Sequence, residues 1–354
     1  MVGEIEYRFA TMDTAQQQVD LFNNVFHIGA NLASWSRKHL NNPLHKRCMV
    51  MAAFDGEKIV GINSFIAMDY EYRGEIFHAV QSCDTAVDPD YRGKGIFSRM
   101  IVSATEAFKE EGVDLLVGYP NQNSFPGFLK MGWQEVQRSM KYFFPNNVKK
   151  VGREMLGKNL PACLDPLATV WRTVHSLPYS FTRGYELSET NTITVEDYNQ
   201  FLNQNMIHIH LSQAYLDWKL SADHQMITVS REGRAVCKLI VCEFHVGEDY
   251  RRGNVLAIKK MANADTKEFR TGLAIIMRKL SREYDILSIW HSADDDVNDS
   301  LLKLGWIKNF SEKKGSPLII KVLTEDEQKR SILTASQNWY PEFIEADYVL
   351  DHNV

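Results

Sequence analysis

The sequence predicts an α+β protein of two similar domains, each a mixed, mainly antiparallel sheet flanked by helices. Three observations carry this reading. At 354 residues the chain exceeds the roughly 100–200 residues of one domain, and its 44% hydrophobic and 24% charged content suits a globular protein with sizeable cores. Several β-prone runs lead into a strand, a glycine-rich turn, a helix and another strand, which is a β-α-β unit. Finally, Leu129-Lys-Met-Gly-Trp133 returns 173 residues later as Leu302-Lys-Leu-Gly-Trp306, and similar segments in the same order at nearly the same offset point to duplication.

In chain order, residues 5–9 read as the first strand. Residues 14–26 place Val19, Leu21, Phe22, Val25 and Phe26 at helical spacing. A short helix around Trp35 ends at Asn41-Asn42-Pro43, since proline does not continue it. The apolar runs 48–54 and 59–66 flank Asp55-Gly56, and Asp-Gly between β-prone runs signals a hairpin. A third strand is expected over 76–87. Residues 96–111 set Ile96, Phe97, Met100, Ile101, Ala104 and Phe108 on one helical face, stopped by Gly112. Residues 113–119 read as a covered strand, and 124–131 as a short helix ending at Gly132.

The second half repeats this order. Runs 225–230 and 235–244 flank Arg231-Glu-Gly-Arg234, Trp218 matches Trp35, 269–283 match the long helix and 286–290 the strand after it. The expected domains are 1–145 and 185–323. A structured connector over 146–184 contains a helix around 167–174. A tail over 324–354 adds one more helix and then Trp339, Tyr340, Phe343, Glu345, Asp347 and Tyr348.

Forty Lys and Arg against 45 Asp and Glu give a net charge of -5, so no excess of positive charge is present to hold a phosphate backbone and no nucleic-acid partner is expected. Five scattered cysteines without C-x-x-C suggest neither a disulfide framework nor a zinc site. His208-x-His210 lacks further ligands at suitable spacing, so no metal is expected. Charges at Glu4, Glu6 and Arg8 oppose a signal peptide, and no apolar run of about 18 residues occurs. The expectation is a cytoplasmic monomer or homodimer without a membrane partner.

The densest punctuation, Val87-Asp-Pro-Asp-Tyr-Arg-Gly-Lys-Gly95, lies at a strand-to-helix junction. Two glycines allow close approach of a ligand, the first-turn amides of the helix point outward, and the helix dipole favours an anion. The segment reads as a pyrophosphate cradle or as a plain tight turn. A P-loop would need glycine at Asp88 and Ser or Thr at Gly95. A dinucleotide fingerprint would sit in the first βα turn of a parallel sheet. The pattern resembles the acyl-coenzyme-A motif Arg/Gln-x-x-Gly-x-Gly/Ala of the GCN5-related N-acetyltransferase (GNAT) superfamily. The order of elements over 4–143 resembles the rest of that fold, and 185–323 resemble a degenerate second copy. The resemblance implies acetyl-CoA as cosubstrate. It implies Thr85, Ala86 and Val87 at the pantetheine arm, Arg92, Gly93, Lys94, Gly95, Ile96 and Phe97 at the pyrophosphate, and Asn121 or Asn123 at the lower arm.

Three positions depart from the family pattern. Phe97 replaces the usual small residue, so its ring must turn away from the cofactor into the core. Phe128 stands where many members carry a tyrosine acid, and Gln81 where some carry a glutamate base; neither side chain handles protons. The remaining catalytic candidates are Tyr119, Asp84 and His78. Tyr119 also reads as a packing residue, Asp84 as a structural hydrogen-bonding group, and His78 as a strand-end surface residue. Ala262-Asn-Ala-Asp-Thr-Lys-Glu-Phe269, at the corresponding turn of the second half, has no glycine pair and is not expected to bind coenzyme A. The expected activity is acyl-CoA-dependent N-acyl transfer, most simply of acetyl to the primary amine of a small molecule by direct attack. The alternatives are a catalytically inactive CoA-binding or scaffold protein and a transferase of a larger acyl group.

Overall fold

The computed structural model describes residues 4–345 except 28, 46, 149–151, 153–157, 159, 162–163, 221–222, 246–250, 292–295, 310–314 and 342. Asp347 and Tyr348 of the tail lie outside the described residues. The first half runs β1 (Glu6–Phe9), α1 (Ala15–Phe26), α2 (Leu32–His39), β2 (Val50–Asp55), β3 (Lys58–Tyr72), β4 (Glu75–Val87), α3 (Ile96–Glu110), β5 (Leu115–Gly118), α4 (Phe125–Lys130) and β6 (Gln134–Pro145). A connector helix, α5 (Asp165–Ser176), follows. The second half comprises β7 (Tyr185–Thr190), α6 (Val195–Asn199), β8 (His208–His210), α7 (Gln213–Lys219), β9 (His224–Arg231), β10 (Arg234–His245), β11 (Arg251–Lys260), α8 (Thr266–Leu280), β12 (Ile286–His291), α9 (Asp296–Lys303), β13 (Ile307–Lys308) and β14 (Ser316–Val322). The tail adds α10 (Glu327–Thr334).

Strand β3 runs six residues beyond the apolar run that predicts it, because Arg73 (φ 53°) and Gly74 (φ 85°) form the two-residue turn with positive φ at both positions that joins tightly paired strands. Helix α3 buries the apolar face read from its spacing, Ile96, Met100, Ile101, Ala104 and Phe108, against one side of the first sheet. α8 does the same in the second half with Phe269, Leu273, Ile276 and Leu280.

The two halves share a pairing scheme. β1 to β4 are antiparallel neighbours, and β5 returns parallel to β4 through the α3 crossover. β7, β9, β10 and β11 are antiparallel neighbours, and β12 returns parallel to β11 through α8. At the join, each half takes a strand from the other. β14, from the end of the second half, lies between β5 and β6, pairing Ile319 with Gly118 and Glu135. β6 in turn pairs with β14 through residues up to Ser139 and with β12 from Met140 onward. One 14-stranded sheet results, and neither half closes its own sheet. The face of β3, β4 and β5 away from α3 shares a core with β9, β10, β11 and the tail, including Tyr70, Val117, Ile240, Leu256 and Trp339.

This exchange predicts one cooperative unfolding transition for both halves. Ile319 is fully buried, so Ile319→Ala is expected to cost about 2–5 kcal/mol and to shift that single transition. Separate melting of the halves in calorimetry would contradict the prediction.

Candidate functional site

The turn between β4 and α3 is braced from the β2–β3 hairpin. Asp88 accepts a bond from the Asp90 amide (3.0 Å) and pairs with Lys58 Nζ (2.8 Å); the Lys58 hydrogen bond holds its carboxyl below the usual range. The Tyr91 hydroxyl donates to Asp55 (2.6 Å). Gly93 (φ 77°) and Gly95 (φ 76°) occupy the left-handed region, where a side chain costs roughly 1–2 kcal/mol. A Cβ at either position would meet no atom within 4 Å. α3 has Gly95 as its N-cap with no side-chain cap, and its first amide bonded to the preceding chain is that of Arg99, to the Gly95 oxygen (3.1 Å). The amides of residues 93–98 therefore have no protein acceptor among the described residues. Lys94 Nζ bonds the Asp90 carbonyl (3.0 Å), and Arg92 Nε bonds the Val87 carbonyl (3.3 Å). Phe97 turns inward as expected, its ring 5.3 Å from Phe128 in an edge contact.

The second half has the opposite arrangement. Asp265 caps α8 by accepting from the Glu268 amide (2.7 Å), while Glu268 accepts from the Asp265 amide (3.2 Å). Glu268 also pairs with Arg231 and Arg234. Two carboxylates thus occupy the helix end that would have to receive a phosphate, and both would repel one.

β4 and β5 pair in parallel only from Ala79–Leu115 to Ser82–Gly118, then part. The Asp88 amide bonds the Val60 oxygen on the β3 side (2.9 Å). Backbone groups alternate edges along a strand, so those of Thr85 and Val87 point into the parting. A bulge sits at its start: Asn63 is opposite Thr85 and Ser64 opposite Cys83, leaving Asp84 extra with φ 33°. Asn63, fully buried, ties the bulge by donating to Thr85 Oγ1 (2.6 Å) and the Cys83 carbonyl (3.1 Å). Asp84 lies 2.8 Å from both Lys38 Nζ and His39 Nε2. Burial alone would raise its pKa, but the Lys38 charge, then the His39 hydrogen bond and charge, outweigh this and hold the carboxyl far below the usual range. His39, Cys83 and Asp84 ligand atoms lie within 4.8 Å of one another; the Lys38 ammonium already neutralises the one carboxylate there.

Tyr119 follows Gly118 at the mouth of the parting, on the face opposite α3 with Val117 and Leu115. Its hydroxyl donates to Glu345 Oε2 (2.8 Å), as does that of Tyr70 (2.8 Å). Glu345 is fully buried, and Lys219 Nζ reaches its backbone oxygen (3.4 Å). Burial and then the Glu345 charge raise the Tyr70 pKa well above its ordinary value. The tail carboxylate thus meets the candidate tyrosine directly.

The other candidates are placed differently. His78 is nine residues before Val87, roughly 30 Å along an extended strand; its side chain is 66% exposed and pairs with Asp69 (2.8 Å). The structure does not bring it to the parting. Asn121 Oδ1 accepts from the amides of Asn123 (2.9 Å) and Ser124 (3.1 Å), shaping the entry to α4, and both asparagines are exposed. His208 and His210 have separate partners, the Met206 carbonyl and Glu71. The roles of Asp55, Lys58, Asn63, Lys38 and His39 at the site carry no signal in the sequence, because each acts through a non-local contact. Cavities of about 230 and 640 Å³ occur elsewhere and neither borders the turn; the glycine turn is an open surface.

Removing the Asp84 charge takes the carboxylate away from the buried Lys38 ammonium, so Asp84→Asn is expected to cost about 3–5 kcal/mol. Because the folded Asp84 pKa is depressed, its contribution is present above about pH 4 and lost as pH falls through the folded value. Denaturant titrations should show a steeper acid loss in the wild type than in the variant. Equal stabilities at pH 7 would refute the clamp.

Three comparisons bear on the fold. Residues 6–136 match the family model described as "Acetyltransferase (GNAT) domain". No curated protein sequence is a significant match. Among solved structures, a probable N-acyltransferase of unknown function from Enterococcus faecalis V583 is 12% identical, with TM-score 0.62 over 90% of this chain and 73% of its own. A GCN5-related N-acetyltransferase from Anabaena variabilis is 12% identical, with TM-score 0.60 over 91% and 73%. The N-myristoyltransferase of Saccharomyces cerevisiae, with bound myristoyl-CoA, is 13% identical, with TM-score 0.59 over 90% and 79%. These likenesses show a shared fold along nearly the whole chain, and the match of residues 6–136 to the acetyltransferase (GNAT) domain model agrees with the motif and its strand–turn–helix setting.

Proposed function

We propose that the chain is an acyl-CoA-dependent N-acyltransferase that moves an acyl group, most simply acetyl, from coenzyme A to the primary amine of a small molecule. The observation that carries this is the run of unbonded amides at 93–98, with open space at two left-handed glycines, which suits a pyrophosphate. Arg92 and Lys94 add charge beside it. Thr85 and Val87 offer backbone groups along the parting of β4 and β5, where an extended pantetheine arm would bond like a strand. Ala86, between them, faces β3. In this reading the second half is a diverged copy that serves as a wall, and there is one coenzyme site per chain.

Attack of the neutral amine on the thioester carbonyl forms the C–N bond and places negative charge on the carbonyl oxygen. The Val87 amide is the donor proposed for that oxygen. The C–S bond then breaks, the amine gives up a proton and the departing thiolate takes one. Tyr119 and Glu345 form the proposed proton route: the carboxylate receives through the tyrosine hydroxyl, and the same hydroxyl protonates the thiolate. Glu345 also gives a cationic acceptor a counter-charge before it loses its proton. Asp84 is a positioning residue here, since its carboxylate is engaged by Lys38 and His39.

Acetyl-CoA should raise the melting temperature of the wild type and leave Gly95→Glu unchanged, since the new carboxylate would occupy the cradle. Free CoA thiol should be released with at least one amine of a panel of amino sugars, polyamines, amino acids and peptides. Tyr119→Phe should lower kcat about 10²–10⁴-fold with little change in CoA binding. Stabilisation without turnover on any amine would favour a binding protein, and faster turnover of long-chain acyl-CoA would move the donor toward the class bound by the yeast structure.

A further inference from the structure

Helix α5 turns its apolar side outward. Leu167, Val170, Val174 and Leu177 follow helical spacing on one face, yet they are 59%, 59%, 60% and 66% exposed, and Phe181 just beyond is 76% exposed. The helix is fixed by its other side: Ala168 is buried, and the Trp171 indole donates to the Gly305 carbonyl (2.8 Å).

Beside this stripe, Thr169, Arg172, Thr173 and Ser176 line a cavity of about 230 Å³ between α5 and the C-terminal end of α8. Its other wall carries Arg278 and Arg282. Thr173 lies one turn from both Val170 and Leu177, so the cavity adjoins the stripe. Three arginines line the cavity and, among the described residues, no carboxylate does. Arg172 is held by neutral partners, Asn146 Oδ1 (3.1 Å) and Thr169 Oγ1 (3.1 Å). The guanidinium groups of Arg278 and Arg282 have no hydrogen bond or ion pair among the described residues. Arg172 and Arg278 are partly buried and Arg282 is exposed; clustered cations without a nearby counter-charge repel one another, and those partly buried are costly to desolvate. An anion with several acceptor oxygens relieves both costs.

An apolar face and an adjoining anion pocket match the two parts of one ligand, a phosphate joined to acyl chains. We propose that this surface docks on an anionic phospholipid bilayer, with one lipid phosphate in the arginine cavity and the α5 stripe in the interface. No helix among the described residues is long and apolar enough to cross a membrane, so the contact is peripheral. The composition-based expectation of no membrane partner averages charge over the whole chain, which conceals three arginines at one place. The proposal is independent of the acyl-transfer reading.

The test is flotation of the full chain with vesicles of phosphatidylcholine alone and of phosphatidylcholine with phosphatidylglycerol. The wild type should float only with the anionic vesicles. Arg172→Gln/Arg278→Gln and Val170→Ser/Val174→Ser should each weaken this on the order of tenfold or more, with unchanged thermal melts and unchanged response to acetyl-CoA. Absence of flotation, or equal flotation on both vesicles, overturns the proposal. So does thermal stabilisation by glycerol phosphate without flotation, which would make the pocket a soluble-ester site. A concentration-dependent dimer lost in Val170→Ser/Val174→Ser, again without flotation, would assign the stripe to a second copy and overturn it equally.

Discussion

The parting of β4 from β5 after Ser82 and Gly118 is the constraint on which the rest of the site depends. While two strands pair, their backbone groups are consumed by each other. Once they part, the Thr85 and Val87 groups become available in line with the amides of the next helix. The parting is enforced rather than loose. Asp84 adopts a left-handed conformation costing on the order of 1–3 kcal/mol, and Lys38 and His39, from α2, hold it there. Asn63 fixes the other side of the bulge. A helix packed beneath the sheet thus determines where the strand opens above it.

The strand exchange explains why β5, only four residues long, can form one wall of this opening. It is covered on its far edge by β14, whose residues are fully buried at Leu318, Ile319 and Ile320, and β14 comes from the second half. That half also closes the face opposite α3, where Glu345 meets Tyr119. It contributes to the site through packing, and the tail that follows it brings the Glu345 carboxylate, while its own helix end is occupied by Asp265 and Glu268. Two copies of one pairing scheme therefore make different contributions to one site. The first presents free amides, and the second supplies an edge strand and a roof.

Local signals were legible. The apolar face of α3, the Asp55-Gly56 hairpin, the glycine pair and the repeated Leu-Lys-x-Gly-Trp segment each reside in a few adjacent residues, and the structure places them as the spacing predicts. The inward turn of Phe97 also follows from its size alone. What could not be read was non-local. Tyr119 and Glu345 are 226 residues apart, and no pattern in either segment announces the other. The exchange of β6 and β14 depends on which edges remain unpaired after all strands are laid down. Asp69 and Glu71 interrupt the apolar pattern of β3, so the strand reads as ending early, although β8 covers that end. His78 reads as near the motif in sequence, but an extended strand carries it far away.

The most direct measurement is amide hydrogen exchange with and without acetyl-CoA, resolved along the chain. The account predicts strong slowing at 93–98 and at Thr85 and Val87, and no change at 265–268. Unchanged exchange at 93–98, or equal protection at the two helix ends, would contradict it.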